Sequence, residues 1–266
     1  MPEPNSPLLY FLPSSSQKSL LHLPLLIHEK SHAIYRHTRH YEEFRWLAEE
    51  FQEELGLFLI PFRQNNSERA QKEHMAAQQI VNVWFVWLEE LFCDMMGLHT
   101  AGPAYLYALS HYLRFGKGTK AFHIPKENLQ TSKHPVSWIR IRVLANEARK
   151  LGLEKEADRI EQEWVQHAKI LGIKEDFYGY YNTTYVHSLS RTLSCMIEEA
   201  GPLSFQEIDL NIQKYDPQEH DYIQLMNLAW QKSLSNIPDY EKWEKQIITI
   251  LLEDGNEEPN SKLEVA

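Results

Sequence analysis

Phe44, Leu47, Phe51 and Leu55 recur at intervals of three and four. That is the period of one helix face, and it predicts a helix over 41–55 ended by Gly56. Upstream, Pro24 suits a first helical turn, where its missing N–H does no harm. Leu25, Leu26 and Ile27 follow, with no Gly or Pro before Tyr35, so a second helix with a buried face is expected there. The stretch 57–62 reads as a short apolar connector and 64–67 as a polar turn. Ser67 and Glu68 then start a long helix. It passes through the apolar run 80–88 and Leu91, Phe92, Met95 and Met96, and is expected to stop near Gly97.

Further helices are predicted over 104–115 and from His134-Pro135 to about Leu151. Segments 154–171, 182–200, 204–214, 218–233 and 239–253 are amphipathic, punctuated by Gly201-Pro202 and Ile237-Pro238. Gly116-Lys117-Gly118 is a loop without a phosphate-loop pattern. The aromatic stretch 177–181 is read as packing between helical layers. One short strand, 8–12, is the only β signal. The fold class is therefore mostly α: a soluble multi-helix bundle with little or no β-sheet.

The chain has 266 residues, enough to bury a substantial core, and only 10 Gly. Its net charge is −10, with no basic stripe, which argues against a nucleic-acid partner. Two cysteines, Cys93 and Cys195, make no disulfide framework and suit a reducing, cytoplasmic setting. Met1-Pro2-Glu3-Pro4 lacks the positive start of a secretory signal. The longest apolar run is too short to span a bilayer and contains Asn82.

The candidate chemistry sits in His28-Glu29-Lys30-Ser31-His32. Two histidines four apart share a helix face and can reach one metal ion, while the glutamate between them can take a proton from a metal-bound water. This is the H-E-x-x-H zinc signature. A third ligand is needed. One route places a histidine six residues after the second, but Thr38 stands there. The other brings a glutamate from a later helix, followed four residues on by an acid that orients a ligand imidazole. Both Glu90 with Asp94 and Glu154 with Asp158 have that spacing. Glu154 lies in a solvated face. Glu90 and Asp94 lie in the apolar run, where acids are costly unless they bind metal or are hydrogen-bonded. That selects Glu90 as ligand and Asp94 as its support. Cys93 reads as a buried core thiol. Tyr105, Tyr107, His111 and Tyr112 read as packing rather than as cleft.

His28-Glu29-x-x-His32 followed by Glu90-x-x-x-Asp94 resembles the gluzincin pattern of zinc metallopeptidases. His134-Pro135 with Arg140-Ile141 is similar to a segment of the membrane CAAX-type peptidases and their heat-shock relatives. Gly102-Pro103-Ala104 resembles a segment of soluble bacterial relatives. The likeness covers roughly 20–145. It implies a Zn²⁺ cofactor, Glu29 as general base, and His134 and Arg140 near substrate or oxyanion. Two features depart from it: only 27 residues precede His28, which leaves little room for the gluzincin substrate-pairing sheet, and the membrane spans are missing.

The expected organisation is an extended segment 1–19, a zinc-binding catalytic domain 20–151, a helical layer 152–253 and a disordered tail 254–266. The expected function is hydrolysis of a peptide or protein substrate. The alternatives are a non-catalytic helical zinc-containing binding protein and hydrolysis of a non-peptide amide.

Overall fold

The computed structural model describes residues 19–59, 68–115, 117–174 and 181–254. All regular structure among them is helical, with no strand. The expected strand 8–12, the connector beyond residue 59, the aromatic loop up to residue 180 and the tail beyond 254 lie outside the described residues.

In order, the α-helices are α1 (Leu25–Tyr35), α2 (Thr38–Leu59), α3 (Glu68–Ala101), α4 (Pro103–Arg114), α5 (Ser137–Lys150), α6 (Glu154–Ile170), α7 (Thr183–Ala200), α8 (Tyr222–Ser235) and α9 (Ile237–Asp254). Two compact units result. The described residues of one lie within Pro24–Ser204, and those of the other are 19–23 with 205–254. The expected division at 151/152 thus falls inside the first unit. There α6 packs along α5 and against α4, so 152–204 shares a core with the helices before it.

In the first unit α3 is the central element, contacted by α1, α2, α4, α5 and α7. Its first turns are solvated and carry the i,i+4 pairs Lys72–Glu68 and Arg69–Glu73. Its last turns are buried on every side, as expected of a core helix that is apolar all round. Trp84 meets Phe51 of α2 and Tyr185 of α7 edge-on, with ring centroids 6.3 and 5.6 Å apart. A second aromatic group joins α5 and α6, where Trp138 stacks on Trp164 at 5.7 Å. The Trp164 indole N–H donates to Ser110 Oγ on α4 at 2.9 Å.

The second unit closes on Leu20, Tyr215, Leu225, Leu228, Ala229, Tyr240 and Ile247. Glu244 accepts from Ser19 Oγ at 3.1 Å, from the Leu20 N–H at 2.7 Å and from the Tyr240 hydroxyl. The Trp230 indole N–H donates to the Leu21 carbonyl.

Several helix ends differ from expectation. Gly56 does not end α2. A Cβ there would meet nothing within 4 Å, and the roughly 1 kcal/mol propensity loss of one Gly does not stop a well-packed helix. Gly97 lies inside α3, which runs on to Ala101 before Gly102 turns the chain at φ 58°. α5 begins at Ser137 rather than at His134, because the residue before a proline is pushed out of the helical region. Of the expected helix 204–214, only a short 3-10 turn, Glu207–Leu210, forms. Among the described residues no helix is long and apolar enough to cross a membrane.

Candidate metal centre

His28 and His32 lie one turn apart on α1, which packs along α3. Their rings are nearly perpendicular, with centroids 5.0 Å apart. Opposite them, α3 presents Glu89, Glu90 and Asp94. His28 Nε2 lies 3.5 Å from Glu90 Oε2, and His32 Nε2 lies 3.6 Å from Glu90 Oε1. These distances exceed those of ordinary hydrogen bonds.

The other nitrogen of each ring is engaged. His32 Nδ1 donates to Glu89 Oε1 at 2.9 Å, and Arg36 pairs with the same oxygen at 2.6 Å. His28 Nδ1 lies 3.0 Å from Asp94 Oδ1 and 3.2 Å from the Tyr105 hydroxyl, which itself donates to Asp94 Oδ1 at 2.7 Å. A carboxylate only accepts, so these partners assign the N–H to Nδ1 in both rings. Both Nε2 lone pairs then face the Glu90 carboxylate.

Three acceptors facing one another are suited to holding a cation between them, beside the Arg140 guanidinium 3.4 Å from Glu90 Oε2. Glu90 Oε2 is a buried oxygen without a hydrogen-bond partner, which fits the same need. His28, His32 and Glu90 each offer one atom, all within 4.8 Å of one another, and together can hold a metal ion. In a tetrahedral site with bonds of about 2.0–2.1 Å, ligand atoms stand about 3.3 Å apart, close to the two spacings to Glu90. A proton is the other candidate cation. Burial opposes protonation of His28, but the Asp94 and Glu90 carboxylates outweigh it and raise its pKa above 6.5. Burial likewise favours neutral Glu90, yet a protonated His28, which would donate to it, and the Arg140 charge hold its carboxyl below the ordinary value.

Comparison of the chain with protein-family models, curated proteins and solved structures gave no match.

The sequence-predicted residues fall as follows. His28, His32 and Glu90 converge, although 58 positions separate His32 from Glu90. Asp94 supports His28. His134 reaches the cluster from the segment before α5, with Nε2 3.5 Å from Glu90 Oε1 and a side chain 63% exposed. Glu29 is half-buried, and its side chain has no hydrogen bond or ion pair to another described residue.

Arg140 differs from expectation. It is buried, and its Nε and Nη2 bond both Asp94 oxygens at 2.7 and 2.6 Å, with Nη1 3.4 Å from Glu90. Its guanidinium is committed to Asp94 and Glu90 within the protein. Burial pushes the Asp94 carboxyl up, but the Arg140 charge and hydrogen bonds outweigh this and hold it far below the usual range. The rival acid Glu154 is exposed on α6, and Asp158 is paired with Arg149. Cys93 is fully buried beside the cluster and is no part of it.

Sequence reasoning missed Glu89 and Tyr105. Glu89 stands next to Glu90, and helical geometry allows it to meet the second histidine. Tyr105 is hidden among several aromatics. The signal that could have found it is Gly97: a Cβ there would lie 2.2 Å from Tyr105 Cε2, so only glycine lets the ring cross α3 and bring its hydroxyl to Asp94.

Proposed function

We propose that the chain is a zinc-dependent hydrolase, a metallopeptidase of gluzincin type cleaving peptide or protein substrates. One observation carries this reading: two Nε2 atoms and the Glu90 carboxylate face one another at non-bonding distance while both Nδ1 atoms are held by carboxylates. That is how metal-ligating histidines are oriented, and two imidazoles with one carboxylate suit zinc. His28, His32 and Glu90 would hold it. Bound zinc supplies Lewis-acid polarisation of a carbonyl and acidifies a water.

Glu29, next in chain to one ligand and without a partner of its own, accepts the water proton and passes it to the leaving amine. His134, exposed at the edge of the cluster, donates to the carbonyl oxygen as it gains charge. Asp94, with Arg140 and Tyr105 behind it, keeps His28 in the ligating tautomer, and Glu89 does the same for His32. A reducing cytoplasm suits the two free cysteines.

Elemental analysis should find about one zinc per chain, as a single three-ligand site requires, and Glu90→Ala should lose most of it. With zinc loaded, a broad peptide library should reveal chelator-sensitive cleavage. Glu29→Gln should keep the metal and fold and lower that rate by about a hundredfold or more, the scale of a lost general base. Zinc uptake without cleavage of any library member would favour the non-catalytic zinc-binding protein. A chain that takes up no metal would leave a protonated His28 as the cation and end the metal reading.

A further inference from the structure

We propose that the substrate of this site carries a carboxylate close to the scissile bond and that Lys117 receives it. The inference rests on the metallopeptidase reading and narrows its substrate class.

Lys117 lies between α4 and the 3-10 turn Gly118–Ala121. Its Nζ is 3.4 Å from Ser137 Oγ, a long and weak hydrogen bond. Ser137 is the buried first residue of α5, one turn before Arg140 and three residues after His134. The exposed ammonium thereby lies at the start of α5, within electrostatic reach of Glu90 and Arg140 and of His134.

The two arginines that contact the acids of the cluster are already paired. Arg140 is bound to Asp94, and Arg36 to Glu89. Lys117 has no carboxylate partner among the described residues. Its nearby acid, Glu90, is the one assigned to the metal. Arg140 and a bound metal ion would both repel this ammonium, and an arriving anion would offset that repulsion. A neutral peptide backbone makes no such demand. Chain composition points the same way: residues 117–134 contain Lys117, Lys120, Lys126 and Lys133 against one acid, Glu127, in a protein of net charge −10. A local positive field of this kind concentrates anionic ligands at the site.

Two sources supply a carboxylate beside a scissile bond: the free C-terminus of a short peptide, or an acidic side chain. The test uses three mercaptoacyl dipeptides, whose thiolate binds zinc. One has a free C-terminal carboxylate, one is the C-terminal amide, and one is an amide with an aspartate side chain. Each is titrated calorimetrically into the zinc-loaded full chain as wild type, Lys117→Met and Lys117→Arg.

At least one carboxylate ligand should bind the wild type about tenfold or more tighter than the neutral amide, the scale of one charge-assisted hydrogen bond. Lys117→Met should abolish that preference and Lys117→Arg should keep it. The tighter of the two carboxylate ligands identifies the source. Equal affinity of all three ligands for the wild type, or a preference undiminished in Lys117→Met, would overturn the proposal while leaving the metal reading intact. A chain that takes up no zinc would overturn both.

Discussion

Asp94 is the residue on which the centre depends. It sits on α3 and is contacted by His28 of α1, Tyr105 of α4 and Arg140 of α5. Removing one partner of a buried ion pair leaves the other charge stranded, at about 3–5 kcal/mol. Losing the group that orients a metal-ligating histidine weakens metal binding about 10–100-fold. Asp94→Asn should therefore lower the denaturation midpoint of the metal-free protein and, separately, weaken zinc binding in a chelator competition. Wild-type zinc affinity in Asp94→Asn would show that His28 needs no help from it. Glu90 and Asp94 were readable from the chain because charged residues stand out inside an apolar helix. Glu89 was not, because it differs from a solvated acid only in what α1 brings to it. Arg140 could be associated with the site by motif, but its bond to Asp94 appears only once α5 is packed on α3.

At the scale of elements, the pairing of α1 with α3 makes the centre, and the crossing of α4 tunes it. Gly97 is where that crossing is decided. Substituting Ala for Gly inside a helix gains about 1 kcal/mol of propensity. Here the added Cβ would fall 2.2 Å from the Tyr105 ring, and forcing atoms into a packed core costs about 1–3 kcal/mol. Moving the ring also withdraws its hydroxyl from Asp94 and His28. Gly97→Ala should thus lower the melting temperature and reduce zinc affinity together. A variant more stable than wild type with unchanged zinc affinity would show that the crossing is looser than described. Glycine carried two opposite meanings along this chain. Read as a helix stop it misleads at Gly56 and Gly97, whereas at Gly102 a positive φ does end α3. Only the neighbours distinguish these cases.

For the molecule as a whole, stability in acid depends on buried carboxylates that stay charged. Glu147 on α5 is a clear case away from the His28–His32–Glu90 group. It is buried and bonded to His99 of α3 at 3.2 Å and to Lys150 at 2.6 Å. Burial pushes its carboxyl up, but the hydrogen bonds to His99 and Lys150 and the Lys150 charge prevail and hold it below the ordinary 4.5. A depressed native value means that its contribution is complete above pH 4.5 and is lost as pH falls through the native value. Glu147→Gln should be less stable than wild type at neutral pH, with the gap closing in more acid solution. A gap independent of pH in denaturant titrations would refute this account. Periodicity and composition alone determined the helical class of the described residues, the approximate span of most helices, and the two candidate histidines with the acids that face them. These depend on i to i+4 spacing and on the cost of burying charge, both local properties. The tertiary structure decided that 152–204 packs with the earlier helices while 19–23 joins 205–254. It also decided that Tyr105 and Glu89 meet the histidines, that Arg140 faces inward and that Lys117 reaches Ser137 at the start of α5. Each of those facts depends on which helix faces meet across large separations in the chain, and packing of the whole molecule sets that choice.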